Sequence, residues 1–180
     1  MIATTLCFTF PREFQGGKLK MLPLFDKFRM KQLLPLKLED PDEGCIRPSE
    51  DVYCFQSGDP RVNEQTVLAM LHTIFAREHN RVADELSKVN PHWSDETLYQ
   101  ETRMIIAALQ QQVTYNEFLP MLLGREVMEK HNLMLLKTGY LEGYDPSLNP
   151  SVATGFTSAA FRVGHTLLPS EIERWSKTHR

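Results

Sequence analysis

The sequence predicts a mainly α-helical fold preceded by an irregular N-terminal segment. Large apolar residues recur at intervals of three, four and seven over residues 67–89, and residue types that begin helices precede this stretch and the next one. Proline or glycine interrupts the first 58 residues every few positions. At 180 residues, 42% of them hydrophobic, the chain is long enough to bury a substantial core.

The charge balance excludes several classes of partner. Twenty basic and 23 acidic residues give a net charge of −3, which supports neither a nucleic-acid partner nor a polyanionic membrane surface. No apolar run approaches the roughly 18 residues that a membrane helix needs. Residues 1–10 are mildly apolar but lack a basic region and a small-residue cleavage site, so we expect a strand or an irregular segment there rather than a signal peptide.

Residues 1–58 are expected to form loops and short elements wrapped over another part of the molecule. Cys45 and Cys54 flank a loop short enough to be closed by a disulfide, and Cys7 is left over. From the residues alone, the paired and reduced states of Cys45 and Cys54 are equally open. There is no CxxC motif, so we expect no structural zinc site.

A long helix is predicted to begin at Asp59-Pro60, an N-cap acceptor followed by a proline whose missing N–H costs nothing there. Asn90-Pro91 ends it. Its apolar residues form one stripe, the side of a helix that ordinarily faces a core. The stripe consists of Val67, Met70, Leu71, Ile74, Phe75, Val82, Leu86 and Val89.

Ser94 is predicted to cap a second helix, with acidic residues in its first turn where the helix dipole favours them. Pro120 then starts a kink or a short segment that ends at Gly124. The buried side of the second helix is predicted to consist of Leu98, Ile105, Ile106, Leu109 and Val113.

A final helix is predicted to begin at Asn149-Pro150, which repeats the cap-and-proline pattern, and to end before Pro169. Its small and apolar positions are Val152, Phe156, Ala159, Ala160 and Val163.

The six histidines fall into three groups. His92, His131 and His179 lie in polar segments and are expected to be solvated, whereas His72 and His79 lie on the long helix as hydrogen-bonded core residues. His165 lies on the final helix among small residues that would let a large flat group approach the backbone. Imidazole is a good iron ligand, but a lone histidine on an apolar helix also suits a purely structural role, and both interpretations stay open.

Arg61 and Glu64 are three residues apart near the start of the predicted long helix, so they share a face. A weak surface ion pair is one interpretation. The other is that Arg61 presents positive charge to an oxyanion or to a polarised O–O bond.

Six segments, read in order, resemble the animal haem peroxidase family over about residues 45–169. Residues 54–65 (CFQSGDPRVNEQ) resemble its CFxAGDxRxNEQ segment, and residues 71–81 (LHTIFAREHNR) resemble its LHTxxxREHNR helix. The remaining four are NPHW at 90–93 with LYQE at 98–101, TYNEFLP at 114–120, YDP at 144–146 and FRVGHT at 161–166. One such segment would be weak, but six in order are specific.

The resemblance implies a fold and site roles. The chain would be part of the helical peroxidase domain, with residues 1–44 as an irregular segment and 45–180 as the partial domain. His165 would be the proximal ligand of haem b, Arg61 the distal-side arginine, and Glu64 an acidic residue able to form an ester with a haem methyl. Gln65 occupies the position of a methionine sulfonium link, which is therefore not expected. Cys45 and Cys54 match a family disulfide.

The resemblance also implies an activity: oxidation of a halide or an organic donor by hydrogen peroxide, in a secreted protein with a possible matrix or cell-surface partner. The family's distal histidine lies in a Gln-x-x-x-His-Asp segment that we do not find here, and its calcium ligands and second haem ester also belong upstream. We therefore expect this chain alone to be inactive or incomplete. The alternative is a non-catalytic helical binding or adhesion module derived from the same fold.

Overall fold

The computed structural model describes residues 10–24, 31–176 and 178. The expectations for the first nine residues, which include Cys7, and for His179 lie outside these residues. The chain divides into two compact units, Met1–Leu135 and Leu136–Arg180, each described by itself below. The mainly helical prediction is confirmed, whereas a domain boundary at residue 44 stays a prediction.

In its described part, the first unit has two three-residue strands and a series of helices. Strands β1 and β2 pair antiparallel, with Leu22 opposite Leu33. The elements in order are β1 (Leu22–Leu24), β2 (Lys31–Leu33), a 3-10 turn (Pro60–Asn63), α1 (Thr66–Val89), α2 (Asp95–Val113), a π-helical turn (Thr114–Phe118), α3 (Leu119–Leu123) and α4 (Arg125–Lys130).

Most of the predicted helix boundaries are confirmed. Ser94 caps α2 by accepting the N–H of Thr97, α1 ends at Val89 just before Asn90-Pro91, and α3 ends at Leu123 with Gly124 as its C-cap. The start at Asp59-Pro60 is corrected in part. Asp59 caps only the four-residue 3-10 turn, and the long helix begins afterwards, because the Gln65 side chain accepts the Val67 N–H and provides a second cap.

Residues 11–20 form a hairpin that lies against α1 and α2. Its two sides meet at the bridge between Arg12 and Leu19. His79 Nε2 donates to the Gly17 carbonyl at 2.9 Å, and the Asn80 carboxamide exchanges two hydrogen bonds of 2.8 and 2.9 Å with the Leu19 backbone. Buried backbone groups need such partners. Residues 11–20 therefore lie over the helices, as expected for this part of the N-terminal segment.

Asp95 and Arg12 fasten the same hairpin to the start of α2. Asp95 accepts from the Gly17 N–H at 2.7 Å and from Arg12 Nη2 at 2.9 Å. The Arg12 guanidinium carbon also lies 3.7 Å from the centroid of the Tyr99 ring. A Cβ on Gly17, whose φ is +69°, would lie 2.6 Å from the Tyr99 backbone nitrogen, so only glycine fits this contact.

The core of the first unit combines the hairpin, the 3-10 turn and the two long helices. Its buried members are Phe10, Leu19, Met21, Leu34, Val62, Ala76 and Tyr99, with Phe55 packed against them.

The predicted apolar stripe of α1 is not its buried side. Met70, Leu71, Ile74 and Val89 are exposed, and the other four stripe residues are only partly buried. The buried side instead consists of His72, Thr73, Ala76, His79, Asn80 and Ala83. The physical reason is that His79 and Asn80 meet hairpin backbone, which needs close approach and hydrogen-bonding side chains rather than large apolar ones.

Two of the five residues predicted for the buried side of α2 are buried. Leu98 and Ile106 are buried, whereas Ile105, Leu109 and Val113 are more than a third exposed. Tyr99 and Thr102, which the prediction omitted, are buried in their place because they lie beside Leu98 and Ile106 on the side that faces the hairpin and α1.

The second unit contains α5 (Thr154–Ser158) and a 3-10 helix (Ala160–Leu167). Helix α5 begins after Ala153 rather than at Asn149-Pro150. The Asn149 side chain instead accepts the N–H and the hydroxyl of Ser151, which forms a local turn that competes with helix initiation. The predicted end before Pro169 is confirmed, but the single predicted helix is two elements, because the backbone leaves the helical conformation at Ala159 (φ −129°, ψ −68°). None of the described residues of this unit is buried.

Candidate functional site

Arg61 lies in the 3-10 turn between the N-terminal segment and α1. The Asp59 carboxylate begins the turn by accepting the Arg61 backbone N–H at 2.9 Å. In a 3-10 turn, residues three apart lie above one another, so Arg61 and Glu64 do share a face. Arg61 is exposed, with 74% of its side chain accessible.

The ion pair that Arg61 makes is with Asp59 rather than with Glu64. Arg61 Nε donates to Asp59 Oδ1 at 2.9 Å, and Nη2 donates to Oδ2 at 2.7 Å. These side-chain hydrogen bonds, with the backbone one, lower the pKa of Asp59 to about 2, so its carboxylate is ionised throughout the neutral range. The sequence predicted only the capping role of Asp59. Its spacing of two from an arginine was the available signal for the pair.

Two neighbours of Arg61 anchor the turn to the core. Val62 is buried in the core cluster. The Asn63 carboxamide accepts the Phe55 N–H at 2.9 Å and donates to the Phe55 carbonyl at 2.8 Å, as a neighbouring strand would. The turn is thereby fixed on both sides of its arginine.

The segment that leads into the turn is itself held by a second chain segment and a disulfide. Lys37 N donates to the Cys54 carbonyl at 2.9 Å, and Gln56 N donates to the Pro35 carbonyl at 2.7 Å. Cys54 is bonded to Cys45, so the disulfide that the family resemblance implied is present. These pairings lie beside a cavity of about 770 Å³ whose lining includes Lys37, Phe55 and Asp59.

Glu64 and Gln65 end the 3-10 turn and begin α1. The Glu64 backbone N–H donates to the Arg61 carbonyl at 3.0 Å, and its side chain is exposed. Gln65 Oε1 accepts the Val67 N–H at 2.7 Å. Gln65 therefore has a capping role here, and the Glu64 carboxylate is sterically open to a ligand.

His165 lies in the 3-10 helix of the second unit. Its side chain is exposed, and among the described residues no hydrogen bond to its ring is found. A Cβ built on the adjacent Gly164 would meet nothing within 4 Å. The rings of Phe156 and Phe161, two aromatic residues that precede His165 in the sequence, stack with their centroids 5.4 Å apart. The imidazole is therefore open to a ligand, and the space beside the Gly164 backbone is unfilled.

The predicted site residues thus fall into two groups. Arg61 and Glu64 share one turn of the first unit, and His165 belongs to the second unit. His92 and His131 are exposed, as expected, and His72 and His79 are buried and hydrogen-bonded within the first unit. Among the described residues, no three His, Cys, Asp or Glu side chains cluster as metal ligands would.

The model of the animal haem peroxidase family matches residues 10–180. The chain belongs to the animal haem peroxidase family. It is 41% identical over 152 residues to Peroxidasin of Drosophila melanogaster, an overlap that covers 83% of this chain and 10% of that protein. It is 42% identical over 164 residues to Chorion peroxidase of the same organism, covering 90% of this chain and 19% of that protein.

A solved structure shares the fold of this chain. Peroxidase A from Dictyostelium discoideum superposes with a TM-score of 0.69 and 29% sequence identity, covering 94% of this chain and 30% of that one. The chain spans about a tenth to a fifth of the length of the two curated relatives above. In the part that the structure describes, no helix is long and apolar enough to cross a membrane.

Proposed function

We propose that this chain forms part of the active site of a haem peroxidase, which oxidises a halide or an organic donor with hydrogen peroxide. The observation that carries the proposal is the exposed imidazole of His165, set in the FRVGHT segment of a chain whose residues 10–180 match the family. We propose the activity for the whole protein, because this chain spans only about a tenth to a fifth of the length of the two curated relatives.

His165 would hold haem b by donating a lone pair from one ring nitrogen to the iron, leaving the other N–H for a partner that fixes the ring orientation. When bound, haem supplies the iron that exchanges electrons with peroxide and donor. The open space at Gly164 supports this role, because a flat macrocycle must come close to the backbone that carries its ligand.

Arg61 would act on the peroxide. Cleavage of the O–O bond leaves negative charge on the departing oxygen, and guanidinium N–H donors stabilise such charge. Two of the five N–H groups of Arg61 are engaged by Asp59, which leaves three for this task. Glu64, exposed on the same face, would form an ester with a haem methyl.

The remaining chemistry would come from other parts of the whole protein. None of the six histidines lies in a Gln-x-x-x-His-Asp segment, so the base that removes a proton from peroxide, and the calcium ligands of the family, are assigned elsewhere. We further propose an extracellular location, with a partner in the matrix or on the cell surface. The Cys45–Cys54 disulfide supports the location, since disulfides persist in oxidising compartments.

Haem titration tests this function. The chain loaded with haemin is expected to show a Soret band that shifts in His165→Ala and stays in place in the control His131→Ala, because His131 is exposed and outside the proposed site. A Soret band at the same wavelength in His165→Ala as in the unaltered chain would contradict the proposal.

The second candidate is a non-catalytic binding module derived from the same helical fold. Turnover of peroxide with a small phenolic donor distinguishes the two. Turnover that depends on Arg61 and His165 would exclude the binding module.

A further inference from the structure

Asp59 does more than a helix cap requires. A cap needs one acceptor for the N–H at the start of the turn, and asparagine or serine supplies it as well as aspartate does. Asp59 Oδ1 meets that need and also accepts from Arg61 Nε, while Oδ2 accepts from Nη2. One carboxylate therefore holds both the backbone and the side chain of the same arginine.

The backbone of Asp59 is itself fixed. Ser57 Oγ donates to the Asp59 carbonyl at 2.9 Å and accepts from the Asp59 N–H at 3.2 Å. Only 15% of the Asp59 side chain is exposed, against 74% for Arg61. The Asp59 carboxylate thus lies against the protein, and the Arg61 guanidinium that it binds faces solvent.

An exposed arginine ordinarily samples many rotamers, and ordering it on binding an anion carries an entropic cost. The fork of two parallel hydrogen bonds removes that freedom beforehand. Preorganised donors are the ones that lower a barrier effectively, because they need no rearrangement as charge develops.

We propose that Asp59 is a positioning residue for the peroxide reaction, acting through Arg61 by presenting its guanidinium in one orientation. This inference rests on the proposed role of Arg61. It assigns Asp59 no contact with peroxide or haem.

The chain offers a matched control. Arg81 is held by Glu78 through the same two-bond fork, Nε to Oε2 at 2.8 Å and Nη2 to Oε1 at 2.7 Å. Arg81 is also exposed and lies on α1, away from the 3-10 turn. Glu78→Gln therefore removes an equivalent pair without touching Arg61.

The test compares Asp59→Asn with Glu78→Gln. Asparagine preserves the cap, so the thermal midpoint and the Arg61 backbone amide resonance should stay close to those of the unaltered chain. Water exchange of the Arg61 Nε–H, followed by nitrogen-15 NMR, should accelerate about tenfold or more in Asp59→Asn and stay unchanged in Glu78→Gln. In the whole protein loaded with haem, the bimolecular rate with hydrogen peroxide should fall on the order of tenfold in Asp59→Asn and stay unchanged in Glu78→Gln.

Two results would overturn the inference while leaving the proposed function intact. One is unchanged Nε–H exchange in Asp59→Asn. The other is an unchanged peroxide rate in Asp59→Asn while Arg61→Ala slows that rate by the roughly 10²-fold expected for loss of an oxyanion donor. If Arg61→Ala itself leaves the rate unchanged, the proposed role of Arg61 fails, and the positioning role of Asp59 fails with it.

Discussion

The two units of the chain hold their proposed site residues in opposite ways. In the first, Arg61 lies on a turn fixed by buried Val62, by the Asn63 clamp and by a disulfide-bonded segment. In the second, His165 lies in a stretch where no described residue is buried and only Gly164 is partly covered. The arginine is presented by a packed scaffold, and the histidine by local backbone structure.

Most of the folding stability is expected to come from the first unit. Burial of apolar surface is the main favourable contribution to folding, and the described residues of the second unit bury almost none. The first unit has a contiguous core and polar anchors such as Asn80 and Asp95. We therefore expect substitutions in the first unit to change global stability and substitutions in the second unit to change ligand binding.

Core truncation should give the largest contrast. Leu34 is fully buried, so Leu34→Ala is expected to lower the free energy of unfolding by about 2–5 kcal/mol. Leu148 is 72% exposed, so Leu148→Ala should change it by less than about 0.5 kcal/mol. Urea denaturation followed by circular dichroism measures both. Equal losses in the two variants would remove the contrast between the units.

The hairpin contact gives a smaller and more local contrast. Gly17→Ala should cost about 1–3 kcal/mol more than Gly16→Ala, because both have positive φ but only a Cβ at residue 17 meets the α2 backbone. At Gly16 the nearest atom is the flexible end of Lys18, at 3.7 Å. The same urea titration applies. Matched costs would mean that the hairpin does not pack tightly on α2.

The smallest expected effect is on the pH dependence of unfolding. Burial lowers the pKa of the His79 imidazole, its bond to the Gly17 carbonyl opposes this, and Arg12 lowers the pKa further. In the unfolded chain the His79 imidazole gains a proton below a pH of about 6.5, whereas in the folded chain it gains one only at a lower pH. The free energy of unfolding should therefore fall as the pH falls from about 6.5 toward the folded-state pKa of His79. His79→Gln should flatten this slope, and His131→Gln should leave it unchanged. If the free energy of unfolding depends on pH equally in His79→Gln and in the unaltered chain, His79 is not the source of this dependence.

The sequence predicted the features that depend on local chemistry. Ser94, Gly124 and the stop at Asn90-Pro91 act through their own neighbours, and the structure confirms each of them. The start at Asp59 was right as a cap but wrong as the start of α1, because the Gln65 side chain provides a second cap four residues after Arg61.

Burial was harder to predict because it depends on what packs against each surface. Apolar spacing on α1 indicated a stripe that includes Ile74, yet the hairpin lies on the side with His79 and Asn80. The available signal was a second set of residues at helical spacing, small or polar rather than large and apolar, which includes Ala76, His79 and Ala83. The Asp59–Arg61 pair was missed because the helical spacing rules describe residues three and four apart, whereas the signal for this pair is a spacing of two.

The proposed function depends most directly on a bond between His165 and the haem iron. Resonance Raman spectroscopy of the reduced, haem-loaded chain tests it directly, because an iron–histidine bond has its own stretching band. We predict that the band is present in the unaltered chain and in His131→Ala and is lost in His165→Ala. A band that persists in His165→Ala, or that is absent from the unaltered chain, would contradict the account.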